Sequence, residues 1–123
     1  MYYGLQLRAV GVLNLAGATD LTPAFVEGLG TISPNYPNLR QVVPDYATSL
    51  RNSYAASGAP QLLIAYSAGH PRDRGQAERM GGMPNVELVP VEHAQHNVVD
   101  PLVRNRELMS LLHRLLSAEP ALV

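Results

Sequence analysis

Six side chains able to carry acid–base, nucleophilic or metal chemistry fall in two short segments: Ser67, His70 and Asp73 in one, Glu92, His93 and His96 in the other. An imidazole can take and return a proton near neutral pH, a carboxylate can fix its tautomer, and a hydroxyl can attack once its proton has an acceptor. The same imidazoles with a carboxylate are also donor types for zinc, which takes a tetrahedral set. Which chemistry is open depends on the elements that bring the two segments together.

Those elements are legible. Gln61 to Tyr66 is an almost uncharged apolar run that stops at Ser67-Ala68-Gly69, which predicts a fully buried parallel strand. Pro71 is placed to open a helix with His70 or Gly69 near its cap, and Gly81, Gly82 and Pro84 close that helix. Val86 to Val91 is the next apolar run, so the unit reads β-α-β with parallel strands. Functional groups of open α/β sheets collect beyond the carboxyl ends of the strands, and both polar segments follow such ends.

In order and spacing this unit resembles the last two strands of the α/β-hydrolases, where the first loop carries the catalytic acid and the second the catalytic histidine. The resemblance extends over nearly all of the chain at the level of element order. It implies an α/β fold, three layers α/β/α with a short parallel sheet, corresponding to the C-terminal half of the hydrolase fold. By that likeness His96, in AQHNV, stands where the general base would be. Asp73 and Asp20 are the carboxylates for the acid, although Ser67 and His70 stand nearer the usual place of the acid than Asp73 does. The implied substrate is a small molecule with an ester or related acyl bond. A Gly-x-Ser-x-Gly elbow, whose strained turn lifts a serine toward the base and frees backbone N–H groups for the oxyanion, occurs nowhere in the sequence. The expectation is a truncated, hydrolase-like chain with little catalysis of its own.

Each of these residues also has a plainer role. Asp73 falls in the first turn of a helix, where any carboxylate complements the dipole. Asp20, in the turn after a strand at Val10 to Ala16, can bond local backbone N–H groups. Ser67 has no elbow glycines and reads as structural. His93 and His96, with His70, have only Glu92 as a further zinc ligand, so neither a metal nor another cofactor is expected.

The remaining chain supplies support. Met1 to Ala9 has helical spacing without a cap, as if a first turn were missing, and Asn14 interrupts the apolar strand after it and needs a partner if buried. Thr22 and Pro23 open a short helix, the Pro- and Asn-rich stretch Ser33 to Pro44 is irregular with Tyr36 near a pocket or core edge, and Pro44 to Ser57 is a helix with a Tyr46, Ala47, Leu50, Tyr54 stripe. One helix is expected from Asp100 as cap to about Ser117, burying Leu108, Leu111, Leu112 and Leu115, with His113 on its polar side.

Composition sets the outer limits. The 123 residues fit a single domain, residues 1–123, and carry nine arginines, no lysine, ten acidic residues and no cysteine. A net charge of −1 with arginines spread along the chain gives no basic patch for nucleic acid. No apolar run approaches the roughly 20 residues of a membrane span, and the start lacks a secretory signal, so a cytoplasmic protein is expected. The competing class is a non-catalytic module that pairs with an upstream polypeptide, or with a second copy as a homo-oligomer, through the open sheet edge beside Val10 to Ala16.

Overall fold

The computed structural model describes residues 1, 4–5, 9–17, 19 and 46–117, and of residues 46–49 the backbone alone. Asp20, the expected helix at Thr22, and Tyr36 with its loop lie outside the described residues. The sheet is built on β2, Gln61–Ser67, in which every residue after Gln61 is buried. Parallel partners flank it on both sides, β1 (Gly11–Leu15) and β3 (Val86–Val91), in the order β1-β2-β3. A strand paired on both edges and covered on both faces has no wet side, which is why QLLIAYS contains no charge.

Alternation along β2 sorts its side chains into two cores. Leu62, Ile64 and Tyr66 pack with Leu50 and Tyr54 of α1 (Tyr46–Ala55), with Ala77 of α2 (Pro71–Glu78), and with Met80 just beyond it. Leu63 and Ala65 face the other way, onto Val91, Val98, Leu102 of α3 (Val99–Arg104), and Leu111 and Leu115 of α4 (Glu107–Ser117). Helices on both faces of a three-stranded parallel sheet make this an α/β fold of three layers. Each fully buried Leu or Ile contributes about 1.5–3 kcal/mol against solvent exposure, so β2 is the strand on which both layers depend. Gly11 admits α4 closely to β1, because a Cβ there would lie 2.6 Å from the Leu115 side chain.

The edges follow from hydrogen-bond parity. Gln61 N–H donates to Val10 and Ala16 N–H to Ala65, at 3.2 and 2.8 Å, so the even residues of β1 face β2 and Gly11, Leu13 and Leu15 face outward. On the far side, Leu62 N–H donates to Asn85 and Ala68 N–H to Val91, at 2.8 and 3.1 Å, which turns the even residues of β3 outward. Pro90 is one of these, and its missing N–H leaves the ladder intact. β3 is half exposed, with Glu87 and Pro90 open to water, and so differs from the apolar run read in the sequence because no further strand covers it among the described residues.

One boundary shifts here, the end of the helix, while Pro44 and Asp45 lie outside the described residues. The helix read from Pro44 to Ser57 is described as Tyr46–Ala55, and Gly58, at φ +81°, follows it as expected of a left-handed stop. Asn85 then ties that end to β2, its Nδ2 donating to the carbonyls of Tyr54 and Pro60 at 2.9 and 3.0 Å.

The long C-terminal helix is a correction: it is two helices, α3 and α4, separated at Asn105 and at Arg106, whose φ is +61°. Asp100 is not the cap. Val98 holds that position without a side-chain bond, and Asn97 Oδ1 accepts from the N–H groups of Val99 and Asp100 at 3.1 and 3.4 Å. The break lets Leu102 point into the core from one helix and Leu111 and Leu115 from the next, while Leu108 and Leu112 are only partly buried. No helix among the described residues is long and apolar enough to cross a membrane.

Candidate functional site

The turn after β2 is short because Pro71 starts α2 four residues beyond Ser67. His70 caps that helix from an extended conformation, its Nδ1 accepting from the Asp73 N–H at 3.3 Å. Asp73 is therefore at the third helical position, and its side chain turns inward, 6% exposed.

The second loop begins where β3 ends. Ala68 N–H extends the ladder to the Val91 carbonyl, His93 adopts a left-handed φ of +55°, and the buried Ser67 hydroxyl donates to the Ala94 carbonyl. Beyond it Asn97 Oδ1 accepts from the first N–H groups of α3, and Val98 is buried in the core. His96 is held between these anchors, and its Nδ1 lies 2.9 and 3.1 Å from the two carboxylate oxygens of Asp73.

The start of α2 and the loop after β3 thus meet through Asp73 and His96, 23 positions apart in sequence and joined across the carboxyl ends of adjacent parallel strands. The helix-dipole role gives Asp73 its place in α2, yet its carboxylate is engaged by the imidazole. An Asp carboxylate accepts only, so Nδ1 of His96 carries the proton, and in the neutral ring Nε2 is left as an acceptor. The His96 side chain is 70% exposed, which puts that nitrogen within reach of a second molecule. Chemically, the pair is a base with its tautomer set from behind.

Other residues take different places. Ser67 is fully buried and its hydroxyl is committed to Ala94, in keeping with a structural role. Glu92 and His93 are exposed, and among the described residues no three His, Cys, Asp or Glu side chains are grouped to hold a metal ion. Asp20 lies outside the described residues. The buried Thr19 just before it is fastened to α2, its N–H donating to Gln76 Oε1 at 2.6 Å and its hydroxyl to the Gln76 carbonyl.

His70 is the residue whose part the sequence did not reveal. Its ring stands 5.9 Å from that of His96, centroid to centroid, at 44°. Its Nδ1 is 3.4 Å from Asp73 Oδ1 as well as 3.3 Å from the Asp73 nitrogen. One nitrogen cannot both accept from the amide and donate to the carboxylate. The amide N–H has a fixed direction and aims at the ring, so in the neutral imidazole Nδ1 is the acceptor. The His-x-x-Asp spacing of a helix start was the available signal, since a capping side chain commonly accepts from the N–H of the second or third helical residue.

An open depression of about 150 Å³ lies at the opposite end of the sheet, lined by Gln61, Asn85, Glu87 and Arg114, with Glu87 and Arg114 ion-paired. The acid–base pair is instead on a solvent-facing rim. Neither a protein-family model, nor a curated protein, nor a solved structure was found to match the chain.

Proposed function

We propose that this chain supplies the acid and base of a site resembling that of the α/β-hydrolases, acting in the cytoplasm on a small molecule with an ester or related acyl bond. The observation that carries the reading is the Asp73 carboxylate on His96 Nδ1 at 2.9 Å, joining the first turn of α2, beyond β2, to the loop beyond β3. In the proposed reaction a hydroxyl from outside these residues attacks the acyl carbon as its proton passes to His96 Nε2. Asp73 steadies the resulting imidazolium, and the same proton later goes to the leaving group. The sequence has no Gly-x-Ser-x-Gly, so the chain alone is expected to show little turnover.

An activated aryl ester tests this directly. The expected result is acylation of His96 well ahead of His113, an exposed histidine with no carboxylate contact among the described residues, and turnover no faster than hydrolysis of the acyl-imidazole. Equal labelling of the two histidines would contradict the acid–base pair. Robust turnover abolished by His96→Ala would contradict the missing nucleophile.

A second reading has its own observation. β1 ends the described sheet, and no described residue bonds the outward N–H and C=O groups of Gly11, Leu13 and Leu15. Such an edge is a template for another strand, and we infer a non-catalytic module that pairs there with an upstream polypeptide or a second copy. Light scattering behind a sizing column should then give a mass above 13.3 kDa; a stable monomer at all concentrations counts against self-pairing.

A further inference from the structure

Asp73 orients two imidazoles, and it does so through different groups. Its carboxylate takes His96 Nδ1–H, while its backbone N–H is taken by His70 Nδ1. The two neutral rings are thereby set in opposite tautomers, His96 protonated on Nδ1 and His70 on Nε2. The outer nitrogens therefore differ in kind: Nε2 of His96 is an acceptor and Nε2 of His70 is a donor. Both side chains reach solvent, at 70% and 36% exposure, with their ring centroids 5.9 Å apart.

We propose that His70 is a second working group of this site, donating from Nε2–H to the acyl oxygen of the substrate while His96 Nε2 receives the proton of the attacking hydroxyl. The O–H bond breaks as the N–H bond forms on His96, the oxygen bonds to the acyl carbon, and the displaced carbonyl pair moves onto the oxygen that His70 holds. A donor already oriented toward the developing charge stabilises the transition state more than the substrate. The inference rests on the acyl-transfer reading above and adds an electrophilic partner to it.

Long-range proton–nitrogen spectra of the nitrogen-15-labelled full chain, with both rings neutral, separate the two ideas. The expected result is Nε2–H on His70 and Nδ1–H on His96. A His70 protonated on Nδ1 overturns the donor role and leaves the base in place, whereas His96 protonated on Nε2 overturns the acyl-transfer reading itself.

His70→Asn supplies the kinetic arm. Asn is among the best helix caps and keeps the bond to the Asp73 N–H, but it is too short to present a donor where Nε2 stood. Acylation of His96 by an activated aryl ester forms the Nε2–acyl bond, releases the phenolate with its electron pair and passes the Nδ1 proton to Asp73 or water. His70→Asn should slow it about 10-fold, less than the roughly 100-fold of a donor in a dry oxyanion site, with the His96 tautomer and the melting temperature unchanged. An unchanged rate in that folded variant overturns the proposal.

Discussion

Asp73→Asn is expected to abolish the special reactivity of His96 while leaving the sheet and α2 in place. The substitution nearly conserves shape, and the backbone N–H that His70 caps is untouched. What changes is the proton inventory. A carboxylate can only accept from Nδ1, whereas a carboxamide can donate to it, which leaves the ring protonated on Nε2 and unable to act as a base. In a site completed by a serine the loss is expected to be about 10⁴-fold in turnover, the scale of a triad with the wrong tautomer. In the chain alone, acylation of His96 by an activated ester should fall to the rate of His113. Labelling followed by mass spectrometry measures both histidines in one experiment. If His96 in the variant still reacts as in the parent, Asp73 does not control it.

The second large effect concerns stability. Leu102→Ala should cost about 2–5 kcal/mol, the range for truncating a fully buried leucine whose cavity only partly collapses. Leu102 is wholly inaccessible and shares its core with Leu63, Ala65, Val91, Val98, Leu111 and Leu115, so the void would open between the sheet and both C-terminal helices. Domains of this size are stable by about 5–15 kcal/mol in all, so the change takes a large share. The same core holds Val98, two residues after His96, and loosening it should weaken protection of amides in the His96 loop. Denaturant titration gives the first quantity and hydrogen exchange the second. A cost under about 1 kcal/mol would mean that α3 is not packed as described.

Residues with one dominant physical demand were readable in the sequence. QLLIAY without charge marked β2, Pro71 with a polar residue before it marked the start of α2, and Gly58 marked the region where α1 stops. The hydrophobic run Val86 to Val91 gave β3 at its observed bounds. The break in the last helix had a weak signal, Asn105 after Arg104 as the stop of α3, outweighed by the continuing leucine periodicity and by Arg106, a residue type that rarely takes the left-handed conformation it has here. Likewise, helical spacing made Asp100 look like a cap, but Asn97 had the better reach to the free N–H groups.

Within the site, sequence spacing brought Asp73 and His96 to the same rim and the structure places them in hydrogen-bond contact, while Asp20, the other carboxylate considered, lies outside the described residues. Asp73 looked late for an acid when counted from the strand. Its position in the first turn of α2 brings it back over the end of β2, and the tie from Ser67 to Ala94 draws the other loop toward it. His70 was legible as a cap and not as a neighbour of His96, since that proximity depends on the parallel pairing of β2 with β3.

The most direct measurement of the central claim is the exchange of the His96 Nδ1 proton with water, followed by NMR in the parent and in Asp73→Asn. A proton held by the buried Asp73 carboxylate should give a resolved, slowly exchanging signal that the substitution removes. A His96 ring whose Nδ1 proton exchanges as freely as that of His113, with or without Asp73, would contradict the account.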